Sequence, residues 1–274
     1  MADALLFIKQ QAERIAKMKE DDPRDKTFNA IVFGQPKVGK TELIRTMVKP
    51  ILVHSFDPGG TKVIEDLIEK GEVVADTRWE VDNPKDPTCY KNWQDEMTKL
   101  INAKFFEHCG TFVIDSMTTW SQVIMYDVIA KAAMKKAGRV KGGAPQQQDY
   151  IPQMNEIEQW MRRFVGLPCN CVLLGHDDTP TDADGTPIDD RRLMITGKLS
   201  KRVPALFDEV YYYFIKNTSS GERALQTQPR NRISAGTRLG KGGKLELYEP
   251  PDIKAILKKV GMPHADKTLF KDLA

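Results

Sequence analysis

Short, nearly unbroken apolar runs punctuate this chain, and between them apolar residues recur at every third or fourth position. Ala30-Ile31-Val32-Phe33, Ile51-Leu52-Val53-His54, Thr111-Phe112-Val113-Ile114 and Cys171-Val172-Leu173-Leu174-Gly175 have the length and bounding residues of buried strands. Helical spacing marks Leu43, Ile44, Met47 and Val48 within 42–48, then Trp93 to Lys104. It returns at Trp120, Ile124, Val128 and Ala132 within 117–136, and at Met154, Ile157, Trp160, Met161 and Phe164. Residues 4–19 alternate apolar and charged positions at the same spacing and predict an amphipathic helix, packed on its own core or docked on a neighbouring subunit. Glu72 to Asp82 reads as a short strand and loop, and strands are expected at Asp208–Ile215, Ala224–Thr227 and Leu245–Tyr248. Pro251 to Val260, followed by Gly261, reads as a capped terminal helix.

Composition narrows the class without naming a chemistry. The 274 residues are 41% hydrophobic and 29% charged, as in an ordinary globular protein, and the net charge is only +3. A surface for a polyanion must therefore come from local clustering of cations. No apolar run approaches the ~18 residues of a membrane-spanning helix, and no signal peptide opens the chain. Cys89, Cys109, Cys169 and Cys171 include no C-x-x-C pair, so a structural zinc site is not expected. Reduced thiols fit a cytoplasmic setting.

Chemistry enters at Gly34-Gln35-Pro36-Lys37-Val38-Gly39-Lys40-Thr41, which fits the phosphate-loop pattern G-x-x-x-x-G-K-[ST]. An apolar strand precedes it and a helical pattern follows, the order that motif requires. Gly34 and Gly39 let successive N–H groups converge on phosphate oxygens. Lys40 would reach the β- and γ-phosphates, and the Thr41 hydroxyl would ligate magnesium. A glycine turn with an incidental Lys-Thr pair is the rival explanation, and the flanking elements argue against it.

Three more strand ends carry polar groups. Asp115, ending Thr111–Ile114, would hold the magnesium ion opposite Thr41, with one further strand between the two. Phe56-Asp57-Pro58-Gly59-Gly60 places a carboxylate at a strand's C-terminal end, where open α/β sheets bind ligands, although it also describes an Asx turn. His176 ends Cys171–Gly175 and is either structural or a γ-phosphate sensor.

Three stretches are rich in cations. Gly138 to Gln148 contains Arg139 and Lys141 and no acid, and is a plain surface loop or one that touches a polyanion. Asp177 to Ile195 is a long acidic loop, and its Asp182-Ala183-Asp184-Gly185 fails the calcium-loop register because Pro180 and Arg191 fall at ligand positions. Arg191, Arg192, Lys198, Lys201 and Arg202 follow with no acid among them, and Arg230, Arg232, Arg238, Lys241 and Lys244 cluster later.

Taken in order, Gly34 to Thr41, Phe56 to Gly60, Phe112 to Ser116 and Leu173 to His176 resemble the RecA-like ATPases, most closely the small phage ATPases associated with single-strand annealing and recombination. The resemblance implies an α/β fold: a RecA-like P-loop NTPase core with a mostly parallel central sheet flanked by helices, plus N- and C-terminal helical extensions. The implied boundaries are 1–26 for the leading helix, 27–249 for the core and 250–274 for the helical tail. It implies ATP and magnesium as cofactors and catalytic roles for Lys40, Asp57, Asp115 and His176, with Asp57 standing where RecA has a water-activating Glu. It further implies a homo-oligomer, ring or filament, with ATP at subunit interfaces and Arg238 donated by the neighbour. Single-stranded DNA would meet Arg139, Lys141, Arg191, Arg192, Lys198, Lys201 and Arg202, with a single-strand-binding or annealing protein as a further partner. Two rivals stay open: a nucleotide-dependent switch or assembly protein without DNA-stimulated turnover, and a small-molecule kinase.

Overall fold

A computed structural model describes residues 2–136, 138–179 and 190–273. Among the described residues, ten strands form the framework: β1 (Asn29–Gly34), β2 (Ile51–Ser55), β3 (Val73–Asp76), β4 (Thr111–Asp115), β5 (Asn170–Asp178), β6 (Arg192–Leu193), β7 (Glu209–Asn217), β8 (Glu222–Gln226), β9 (Gly236–Thr237) and β10 (Tyr248–Glu249). The helices are α1 (Ala2–Glu20), α2 (Glu65–Glu69), α3 (Cys89–Asn102), α4 (Phe105–His108), α5 (Met117–Lys135), α6 (Tyr150–Phe164), α7 (Leu199–Arg202) and α8 (Ile253–Val260). The sheet runs β10-β8-β7-β1-β5-β4-β2-β3, with β6 added to β5 and β9 to β7. From β7 to β3 every neighbouring pair is parallel, and β8 and β10 close one edge antiparallel. β5 lies between β1 and β4, so one strand separates the phosphate loop from Asp115, as the spacing implied.

The two sheet faces divide the apolar residues by the period of two. Ile31 and Phe33 of β1 face a core built with Trp93, Trp120, Trp160 and Phe164, all essentially sealed from solvent. Trp93 is its hub, with ring centroids 5.4 Å from Trp120 and 4.6 Å from Trp160 in edge-on geometry. Ala30 and Val32 face the other way, onto Leu43, Ile44 and Met47 and onto Ile256 and Leu257 of α8. The segment after the phosphate loop and the tail's helix thus close this second layer together, and that helix is part of the core. Asp252 caps α8, accepting from the Ala255 N–H at 2.9 Å, and Gly261 ends it at φ 83°.

Three elements differ from the periodicity. Thr41–Thr46 is a 3-10 helix and not the expected α-helix. Pro50 bars continuation, and the Thr46 hydroxyl donates to Leu43 O at 2.7 Å while accepting from the Ile253 N–H at 3.0 Å. Its apolar residues still reach the core, which is why their spacing looked α-helical. β5 runs two residues past His176, because Asp177 and Asp178 pair with β6. The strand expected at Leu245–Tyr248 shrinks to β10. On α1, Leu5, Leu6, Phe7, Ile8, Ile15 and Met18 are exposed. Among the described residues no helix is long and apolar enough to cross a membrane.

Candidate active site

All the parallel strands deliver their C-terminal ends to one edge, and the phosphate loop occupies it at the tip of β1. Gly34 is irreplaceable there because a Cβ would collide with the carbonyl oxygen of Tyr213 on β7. Lys37 and Gly39 turn the loop through the left-handed region, at φ 65° and 99°. Lys40 folds back over the loop, its Nζ donating to Gly34 O at 2.9 Å and Gln35 O at 2.8 Å. The side chain is only 6% exposed. Burial lowers the ammonium's pKa, and Asp115, Asp177 and Asp57 partly restore it.

Asp115 at the end of β4 faces the loop. The Thr41 hydroxyl donates to its Oδ2 at 2.6 Å, and its backbone carbonyl accepts from the Phe56 N–H at 2.6 Å. Burial pushes the Asp115 carboxyl up to about 6, with nearby Asp57 adding to the rise and Thr41, Lys40 and His176 opposing it. The hydroxyl and the carboxylate are hard oxygen donors on one buried spot, which fits a magnesium ion held beside nucleotide phosphates.

Asp57 lies at the tip of β2, and its carboxylate is fully engaged. Oδ1 accepts from Ser116 Oγ at 2.9 Å and from the Thr119 hydroxyl, while Oδ2 meets His176 Nε2 at 3.1 Å. Burial alone would raise its pKa, but the hydrogen bonds from His176, Thr119 and Ser116 outweigh it and leave the group below its ordinary value. His176 Nδ1 sits 3.4 Å from Lys40 Nζ. A single neutral tautomer serves both contacts, Nδ1 accepting from Lys40 and Nε2–H donating to Asp57. Lys40, Thr41, Asp57, Asp115 and His176, drawn from four sequence regions, therefore converge.

Other contributors had no clear local signal. Glu80 grips the strand-end turn, accepting from Ser55 Oγ at 2.7 Å and from the Gly59 N–H at 3.0 Å. Ser116 and Thr119 form an S-x-x-T helix start, readable as a cap of α5 but not as clamps on Asp57. Arg223 on β8 lies against Gly39.

The expected DNA-facing cations are scattered and mostly paired. Arg139, from the segment read as solvent-facing and acid-free, forms two hydrogen bonds to Asp149 at 2.7 and 2.6 Å, with its side chain 6% exposed. Lys141 pairs with Asp86, Arg191 with Asp177, Arg192 with Asp178 and Arg202 with Glu158. Lys198 and Lys201 are exposed and have no ion pair among the described residues. The middle of the second loop, with Asp182, Asp184 and Gly185, lies outside the described residues. Arg238 is half-exposed beside Asp208, and its backbone N–H donates to Glu209. Glu209 registers with Ala30, so Arg238 is at the opposite sheet edge, roughly 13 Å of strand from Gly34.

Residues 26–239 match the family described as "AAA domain". No curated protein matches the sequence. Solved structures similar to it include an ATPase from the type III secretion system of pathogenic bacteria, 13% identical, with a TM-score of 0.45. The alignment covers 80% of this chain and 62% of that one, so the chain spans less than two thirds of that protein's length.

Proposed function

The chain belongs to the AAA domain family and is a P-loop ATPase, and on that premise we propose that it is an ATP-dependent single-stranded DNA-binding ATPase of phage recombination and annealing, working as an oligomer with ATP at subunit interfaces. In this reading Lys40 exchanges the carbonyls of Gly34 and Gln35 for phosphate oxygens, and Thr41 and Asp115 hold magnesium. When bound, magnesium supplies charge neutralisation at the phosphates. Asp57 orients the attacking water and takes its proton, and His176, touching both Lys40 and Asp57, positions that carboxylate. The exposed Arg238 serves a neighbouring subunit's site, since its own loop is at the other sheet edge.

The observation that carries the DNA half is a backbone link. The carbonyl of His176 accepts from the Met194 N–H at 2.8 Å, so the histidine beside Lys40 and Asp57 is tied to the cationic stretch Arg191 to Arg202. A change in His176 on hydrolysis would reach that stretch through one hydrogen bond. ATPase rates with and without a single-stranded oligonucleotide test the proposal, together with filter binding across a salt series. The expected results are a stimulated rate and a log affinity that falls with log salt at roughly −0.7 per phosphate contacted. Unstimulated turnover with no salt-dependent binding overturns it.

That same outcome would support a second reading, a nucleotide-dependent switch or assembly protein. It is favoured by the full engagement of Asp57 by Ser116, Thr119 and His176, which leaves it poorly placed to accept a further proton.

A further inference from the structure

The hairpin of β7 and β8 rises past the phosphate loop, and Arg223 stands on it opposite Ile215. Its guanidinium lies on the loop itself. A Cβ built on Gly39 would be 3.3 Å from Nε, 3.4 Å from Cζ and 3.6 Å from Nη2. The hairpin tip is ordered by Asn217, whose Oδ1 accepts from the Ser219 N–H at 2.9 Å and the Ser220 N–H at 3.3 Å. Arg223 is thus carried by a paired strand and a closed turn.

Arg223 also differs from the other arginines near this edge. Arg191 and Arg192 are tied to Asp177 and Asp178, whereas the Arg223 side chain makes no hydrogen bond or ion pair among the described residues. Its donors form a planar fork whose natural partners are phosphate oxygens. The site has room for such a cation, because the buried Lys40 faces Asp57 and Asp115 as well as the Arg191-paired Asp177, each close enough to act on its charge. A polyphosphate entering there would meet Asp57 and Asp115 against one ammonium, Asp177 being offset by Arg191.

Building on the ATP-binding reading above, we propose that Arg223 is a phosphate-contacting residue of its own chain's nucleotide site, its guanidinium donating to phosphate oxygens cradled at Gly39. Titration calorimetry of the full chain with magnesium ATP tests this for wild type, R223A, R223M, R223K and K40A. R223A and R223M should each weaken ATP binding about 10- to 100-fold, the range of charge-assisted hydrogen bonds. R223K should recover part of the loss, since it keeps the charge but not the fork. Melting temperatures should stay at the wild-type value, because Arg223 is exposed and unpaired. Wild-type affinity in R223M, alongside lost binding in K40A, would overturn the proposal: the side chain would then only pack on Gly39, and the nucleotide site itself would stand. Failure of the wild-type chain to bind ATP would instead remove the premise, and the proposal with it.

Discussion

Thr41 and Asp115, 74 residues apart in sequence, are joined by a 2.6 Å hydrogen bond from hydroxyl to carboxylate. That contact requires β4 to lie one strand away from β1 with both C-terminal ends at the same edge, which is the arrangement of the sheet. It buries a carboxylate with one hydroxyl donor, and the cost shows in Asp115's rise to about 6.

The first prediction follows from that rise. Between its ordinary pKa of 3.8 and about 6, the folded chain holds a proton on Asp115 that the unfolded chain has released. Stability contributed by this group is therefore present at acid pH and lost as pH rises through the window, by about 3 kcal/mol in full. Asp115→Asn, whose side-chain oxygen can still accept from Thr41, should melt higher than wild type at pH 7.5 without nucleotide. The two should converge towards pH 4. Calorimetric melts across that range check it, and a pH-independent difference would contradict it.

Lys40→Ala should abolish most ATP binding and hydrolysis. The lysine satisfies two loop carbonyls in the free chain, but its buried ammonium is also held against desolvation, so the fold should survive its loss. Nucleotide affinity and turnover, measured beside a circular dichroism spectrum, separate these effects. Retained turnover would mean that the loop is not the site of catalysis.

How much of this was legible in the sequence depends on how local each signal was. Gly34 to Thr41, the strands on either side and Asp115 at a strand tip could be read because each lies within one short window. The clamps on Asp57 could not, since Ser116, Thr119 and His176 come from 59, 62 and 119 residues away. The partners of the clustered cations were hidden for the same reason. Arg202 stands in an acid-free stretch, yet Glu158 on α6 reaches it, and Asp149 pairs with Arg139 just beyond the segment read as acid-free. The 3-10 helix at Thr41–Thr46 was hidden because Leu43, Ile44 and Met47 at their spacing fit either winding, and its hydrogen-bond partner Ile253 lies in the tail.

Asp57→Asn should spare ATP binding and lower turnover by about 10²- to 10⁴-fold, the usual share of a general base. Asparagine keeps one oxygen to accept from Ser116 and Thr119, so the turn should hold its shape. Steady-state rates beside binding constants check this. Unchanged turnover would leave Asp57 as a turn-forming residue only.

The cationic stretch makes the last prediction, and the pairing pattern sharpens it. Arg202 is bound to Glu158 at 2.9 Å, whereas Lys198 and Lys201 are exposed with no ion pair among the described residues. A cation already partnered must break that contact before it can neutralise a phosphate, so its net contribution should be smaller. Replacing all three with Ala should weaken single-stranded DNA binding and leave unstimulated hydrolysis intact, with most of the loss reproduced by Lys198→Ala and Lys201→Ala together. The salt slope should flatten by roughly 0.7 for each phosphate contact removed. Filter binding at several salt concentrations measures both quantities. If the slope stays at its wild-type value while affinity falls, the lysines support the fold of this segment and do not touch the phosphates.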